Sequence, residues 1–457
     1  MMQEIFTERT EQIAWQTREG AISYRELENR VRRFAMLLKN SGAKPGDFWA
    51  VRGWSALDTF ALLLAALWQR ITLFPLPDRL PDAQQQLMMA QVPLQGCLDA
   101  STAQFEEKCA GPIHWDDEAL AVGIFTSGST GLPKAIMHTW KSLSSSARAT
   151  YQFYGLQPGD TWLLSLDPAH IGGLQIAVRC FLGGAITWHL AEPKNLADVL
   201  RTQSPTFLSL VPTQLYRLMH DPEVRNQLRT CKAIMLGGAP ASRDLMREAL
   251  EQGLPVSVTY GSSETAAQCT ALALGVMPFR EGDVGHLLPG WEYEHQGEIL
   301  RLRGAAAARG YYQGQSFVSL LDNEGWMQLP DRILCDQGRL TVLGRADGIF
   351  QVAGENVAPL DIIQPLEPLR HQADFLALPW QDAEYGTVPI LVVRSSEPPP
   401  VDLMLDLLKK NLTGVQRPRR IYWHASDDIS KPSRSYYEKA LERGELPLIW
   451  RQDLGRV

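Results

Sequence analysis

Thr126-Ser-Gly-Ser-Thr-Gly-Leu-Pro-Lys134 decides how this chain is read. An apolar run, Leu120 to Phe125, precedes it and reads as a strand. Gly128 and Gly131 let backbone N–H groups converge on a phosphate, Thr126, Ser127, Ser129 and Thr130 add hydroxyl donors, and Lys134 adds charge. Such a loop suits a triphosphate. A flexible Ser/Gly linker is the plainer alternative, but nine residues of this composition ending in Lys seldom arise as one. The spacing is not that of a Walker A loop, because the two glycines stand too close and Ala135 follows the lysine. A kinase or motor thereby loses its main support.

Working outward, apolar strand-like runs (Thr161 to Leu166, Thr206 to Val211, Ala233 to Leu236, Val256 to Tyr260) alternate with helical patterns (Leu174 to Phe181, Pro212 to Met219, Arg243 to Gln252). This alternation predicts crossover units and parallel sheet flanked by helices, an α/β fold. Upstream, Ser23 and Glu26 form a capping box ahead of Leu27, Val31, Phe34, Ala35 and Leu38 at helical spacing. From about Gly282 the pattern shifts to short, glycine-punctuated strands such as Gly297 to Leu302 and Arg339 to Leu343, predicting a smaller β-rich subdomain. Gly344 to Gly348 reads as a junction, followed by a mixed tail with helices over Val401 to Asn411 and Tyr436 to Glu445. At 457 residues the chain exceeds what one core supports. We therefore expect a large domain over residues 1–346 and a small α+β domain over 347–457.

Composition narrows the partners. The formal charge of -7, with no segregated basic patch, speaks against nucleic acid. The longest apolar run, Phe60 to Trp68, is too short to span a bilayer, and the acidic start lacks a signal-peptide core, so the expected location is the cytoplasm. The six cysteines lie far apart without a C-x-x-C pair and read as reduced thiols, mostly buried. Oligomeric state is not legible.

The loop from Thr126 to Lys134 resembles, letter for letter, the T-S-G-S-T-G-x-P-K signature of the adenylate-forming superfamily: acyl-CoA ligases, peptide-synthetase adenylation domains and luciferases. Further motifs follow in that superfamily's order. Gly237, Gly238 and Ala239 stand where the resemblance lays glycine backbone against adenine and ribose. Tyr260-Gly261-Ser262-Ser263-Glu264 resembles Y-G-x-T-E, with Ser263 for threonine; the resemblance implies that Tyr260 stacks on adenine and Glu264 holds Mg2+. Asp331 matches the aspartate that accepts the ribose hydroxyls, although Leu329 and Pro330 depart from the usual T-G before it. Arg345 matches an arginine near ribose and phosphates, and Asp347 matches the hinge of a mobile C-terminal domain. Gly354 lies in a loop resembling the one brought toward the pantetheine channel, with Ala353 where glycine is usual and Asp361 where glutamate is. For the catalytic lysine, Lys431 fits the K-x-S-R spacing with Ser433 and Arg434, and Lys439, within a helical pattern, is its competitor. The resemblance implies ATP, Mg2+ and coenzyme A, and two steps: acyl-adenylate formation, then thioester formation.

Pro168-Ala-His170-Ile-Gly-Gly173 resembles the superfamily segment whose histidine borders the acyl pocket, and Arg179 follows nine residues later in an apolar helix. A lone histidine is more often a satisfied core residue, whereas arginine on an apolar face must be paired when buried. A substrate carboxylate is one natural partner, protein acids another. Compact length, the H-x-G-G segment, Arg179 and the run from Pro212 to Leu215 together resemble the o-succinylbenzoate-CoA ligases, whose dicarboxylate keeps one carboxylate through the reaction. A general aryl-CoA ligase and a degenerate nucleotide-binding homologue are the alternatives.

Overall fold

The computed structural model describes residues 2–451 except 79, 104–114, 127–132, 190–195, 239–240, 277–278, 281, 346–347, 349, 353–354, 383–385 and 427–433. Among the described residues, the strands up to Arg345 form a 13-stranded and a 7-stranded sheet. In the larger sheet, strands Ile186–Trp188, Thr161–Leu163, Phe207–Leu210, Ala233–Leu236 and Val256–Ser262 run parallel, as the crossover pattern predicts. Their helical partners are Ile171–Gly183, Pro212–Met219 and Arg243–Glu251. The strand from Thr161 stops at Leu163 and not at Leu166, and Leu164 N–H instead reaches the Trp188 carbonyl.

Helices fill the space between the sheets. Ala56–Trp68 is buried almost all round, which explains its uninterrupted apolar sequence. Tyr24–Asn40 begins at the Ser23 and Glu26 capping box and turns one apolar face inward. With Trp140–Tyr154 and Ile171–Gly183 they share one core cluster, to which Val51, Leu73 and Ile124 come from the smaller sheet and Trp162, Phe207 and Met235 from the larger. Both sheets thus bury one face against the same helices.

The short strands beyond Gly282 are present but do not make a separate sheet. Asp283–Leu287, Trp291–Gln296, Ile299–Gly304, Met327–Asp336 and Arg339–Arg345 extend the larger sheet in antiparallel fashion. Gly310–Gln313 and Ser316–Ser319 cross to the smaller sheet, where Tyr311 pairs with Ile136. Sequence periodicity defines a strand but not its partner.

From Phe350 onward the chain has its own elements. A hairpin, Phe350–Val352 with Glu355–Val357, leads to a 4-stranded sheet of Asp374–Asp382, Gly386–Ser395, Arg420–Ala425 and Leu448–Arg451, covered by helices Val401–Asn411 and Arg434–Glu442. Among the described residues, its core clusters, around Val393 and Ile390, contain none from the upstream sheets. The expected junction residue Asp347 lies outside the described residues.

Candidate active site

The described ends of the phosphate loop are Thr126, closing strand Leu120–Thr126, and Lys134, opening strand Lys134–Thr139. Thr126 and Lys134 face each other across an antiparallel pair, so the loop joins two strands, unlike a P-loop that runs from strand into helix. Lys134 Nζ lies 4.6 Å from the centre of the Tyr311 ring. Ser127, Gly128, Ser129, Thr130 and Gly131 lie outside the described residues.

The Ala233–Leu236 strand delivers Gly237 and Gly238 at its carboxyl end. A Cβ at Gly237 would stand 2.6 Å from Thr259 Oγ1, and Gly238 has φ +77. Both positions are glycine for a reason of shape. Ala239 lies outside the described residues.

The neighbouring Val256–Ser262 strand carries Tyr260 and Gly261 to the same sheet edge. A Cβ on Gly261 would fall 1.6 Å from the Ala267 carbonyl oxygen, so that backbone crossing admits only glycine. The Tyr260 hydroxyl donates to Asp331 Oδ2 at 2.5 Å, uniting two residues 71 positions apart. Asp331 is directly opposite Arg345 in the Met327–Asp336 and Arg339–Arg345 ladder. Leu329, a departure from the superfamily pattern, is a core residue, 2% exposed.

Glu264 sits on a single 3-10 turn, Ser263–Thr265, followed by Ala266 and Ala267 with φ of 51 and 77. Two consecutive left-handed alanines cost energy and persist only where neighbours fix them. Thr265 Oγ1 donates toward the Ser262 and Ala267 carbonyls at 3.1 and 2.8 Å, and Ala308 N–H donates to the Glu264 carbonyl at 2.9 Å. Among the described residues nothing hydrogen-bonds or ion-pairs with the Glu264 carboxylate. A half-buried carboxylate left unused suits Mg2+, which takes one or two carboxylates and fills its remaining positions with water and phosphate oxygens.

His170 occupies the position before helix Ile171–Gly183, exposed and with no side-chain cap bond. A Cβ at Gly173 would lie 2.2 Å from the Asp167 carbonyl oxygen, which explains the glycine of the H-x-G-G segment. Nine positions make two and a half helical turns, so Arg179 falls on the far side of the helix from His170. It is 2% exposed. Its guanidinium stacks over Trp162 at 5.3 Å, and Nη1 approaches Met235 Sδ at 3.9 Å, while Nε makes no hydrogen bond. Tyr154 is its electrostatic neighbour; no Asp or Glu pairs with it among the described residues. Burial lowers its pKa to about 10, leaving the cation charged at neutral pH.

Gly354 and Lys431 lie outside the described residues. Lys439 is exposed on helix Arg434–Glu442, as its helical pattern predicts. Sequence reasoning passed over His138, fully buried in strand Lys134–Thr139 and in contact with the Ser263 backbone. Its one signal was alternation: Lys134, Ile136 and His138 share a strand face.

Gly237 and Tyr260 lie at neighbouring strands, Tyr260 bonds to Asp331, and His138 ties the strand that opens at Lys134 to the turn bearing Glu264; the class these residues mark is a nucleotide-dependent acid-activating enzyme. The chain belongs to the family described as AMP-binding enzyme, which matches residues 3–110 and 95–312. The 2-succinylbenzoate–CoA ligase of Escherichia coli (strain K12) is 31% identical over 423 residues, covering 90% of this chain and 91% of that protein. A point variant of E. coli MenE with bound OSB-AMS superposes with TM-score 0.83 at 28% identity, covering 97% of this chain and 98% of that one. MenE from Bacillus subtilis in complex with ATP and magnesium ion gives TM-score 0.80 at 22% identity over 93% of this chain and 95% of that one, a likeness of fold.

Proposed function

We propose that this chain is an AMP-forming acid–thiol ligase for o-succinylbenzoate. One carboxylate oxygen attacks the α-phosphorus of ATP and pyrophosphate leaves; the coenzyme A thiolate then attacks the acyl carbon and AMP leaves. Arg179 carries the substrate assignment. A fully buried guanidinium with no acid beside it among the described residues carries a desolvation cost of several kcal/mol that those residues do not offset. A dicarboxylate supplies the missing anion through the carboxylate that is not activated, and the likeness to 2-succinylbenzoate–CoA ligases supports that choice.

In this reading Asp331 accepts the ribose hydroxyls, Tyr260 presents its ring to adenine, and Thr126 and Lys134 frame the triphosphate. Glu264 holds Mg2+, which when bound neutralises charge on the phosphate oxygens. Lys431, from a C-terminal domain that begins near Asp347, stabilises charge developing on the α-phosphate, and Gly354 belongs to the face used in thioester formation. His170 borders the acyl pocket, and Arg345 serves ribose and phosphate. Free thiols at Cys97, Cys180, Cys231, Cys269 and Cys335, with ATP and coenzyme A as cosubstrates, support a cytoplasmic setting.

The test is pyrophosphate release with a panel of acids, with and without coenzyme A. Release with o-succinylbenzoate far above release with benzoates lacking the second carboxylate supports the proposal. Equal release makes this a general aryl-CoA ligase, and no release with any acid makes it a nucleotide-binding homologue.

A further inference from the structure

His138 is 0% exposed, and both of its ring nitrogens are engaged. Nε2 lies 2.8 Å from the Ser263 carbonyl oxygen, which can only accept, so the proton resides on Nε2. Nδ1 then faces the Ser142 hydroxyl at 3.1 Å, whose single proton it shares with the Thr139 carbonyl at 2.9 Å. Ser142 stands in the first turn of helix Trp140–Tyr154, a firmly packed element of the core between the sheets. The histidine therefore links that helix to the residue immediately before Glu264.

The turn it touches is strained. Ala266 and Ala267 hold positive φ, and the Glu264 backbone is otherwise tied across to the rest of the protein by Ala308 N–H. Ser146 Oγ, from the same helix Trp140–Tyr154, holds the Ala266 carbonyl at 2.8 Å on the far side of the turn, so His138 and Ala308 are the side-chain and backbone ties that grip the carbonyls of Ser263 and Glu264 themselves. Such a turn, released on one side, has lower-energy conformations available to it.

We propose that His138 is a positioning residue for Mg2+: its Nε2–H fixes the Ser263 carbonyl and thereby aims the Glu264 carboxylate at the metal that accompanies ATP. The inference rests on Glu264 being the metal-holding residue in the proposed function. It assigns His138 no contact with substrate.

The test compares His138→Leu, which removes the donor, with His138→Gln, whose amide can still reach the carbonyl. Calorimetric ATP affinity is measured with Mg2+ and in EDTA, alongside melting temperature. We expect His138→Leu to lose at least tenfold of the affinity gained from Mg2+, with little change in EDTA, and His138→Gln to stay within about threefold of the parent. Should His138→Leu fail to fold, Ser142→Ala, which frees the ring at Nδ1, is expected to lower the Mg2+-dependent gain several-fold. An unchanged gain in the folded leucine variant, or in Ser142→Ala if leucine is not tolerated, overturns the proposal, as does a glutamine variant as impaired as leucine. Glu264→Gln separates the two levels. If it leaves the Mg2+ gain intact, the reading of Glu264 fails; if it abolishes the gain while His138→Leu keeps it, only the positioning role fails.

Discussion

The Tyr260 hydroxyl and the Asp331 carboxylate meet at 2.5 Å, so the Val256–Ser262 and Met327–Asp336 strands of the candidate site are fastened to each other by a side-chain bond. Burial, together with the Asp331 charge, raises the pKa of the phenol, which keeps it a donor at any physiological pH.

Replacing Asp331 with Asn should therefore weaken ATP binding through the lost charged acceptor, by about 1.5 to 3 kcal/mol, an affinity loss of tenfold or more. Tyr260→Phe keeps the ring and loses only the tie, so it should cost about 1 kcal/mol in stability and less in affinity. Titration calorimetry and thermal melts of the two variants check this ordering. A larger affinity loss in Tyr260→Phe than in Asp331→Asn would contradict it.

Arg179→Met keeps a long side chain against Trp162 and removes the buried charge. Since no protein acid among the described residues depends on that charge, melting should hold or rise. Steady-state kinetics should show kcat/KM for o-succinylbenzoate lower by about 2 to 5 kcal/mol, with KM for ATP almost unmoved. Equal losses toward an analogue lacking the ring carboxylate would remove the substrate role.

Gly261→Ala drives a methyl group into the Ala267 carbonyl, 1.6 Å from the ideal Cβ position. The backbone must move, at a cost of about 1 to 3 kcal/mol, and the turn bearing Glu264 moves with it. Denaturant melts should show the destabilisation, and Mg2+-dependent ATP binding should fall more than binding in EDTA.

His138 also makes a pH prediction. Burial lowers its pKa to about 4 from an unfolded value near 6.5, so the unfolded chain takes up a proton that the folded chain refuses. The stability held in the neutral ring is fully present above pH 6.5 and drains away as pH falls toward 4, on the order of 3 kcal/mol in total. The unfolding free energy of the parent minus that of His138→Gln should be flat above pH 6.5 and decline below it. A difference that is flat across the whole range would show that the ring is not held neutral.

How much of this was legible varies with how local the cause is. Helices Pro212–Met219 and Val401–Asn411 have the bounds their sequences predict, because Pro212 starts one and an amphipathic run defines the other. Gly237, Tyr260, Gly261, Glu264 and Asp331 are proposed for the site through motifs. Their mutual geometry was not legible, since the Tyr260–Asp331 bond spans 71 positions and the His138–Ser263 contact 125. A histidine in an apolar strand looks like core until the carbonyl it serves is seen. The burial of Arg179 against Trp162, with its guanidinium stacked on that ring, was likewise not legible, since Trp162 lies upstream on another element.

The excursion of Gly310–Gln313 and Ser316–Ser319 to the smaller sheet bears on how the protein is made. Synthesis proceeds from the N-terminus, so the strand opening at Lys134 exists long before Tyr311, its later neighbour, has left the ribosome. Closing contacts over such a separation is slow, and Ala308, which holds the Glu264 carbonyl, emerges in the same late stretch. A nascent chain that already contains the strand opening at Lys134 thus still lacks the Ala308 N–H that holds the turn bearing Glu264. The smaller sheet is therefore completed from two distant stretches of the sequence, and its last strands set when the Glu264 turn takes its final form.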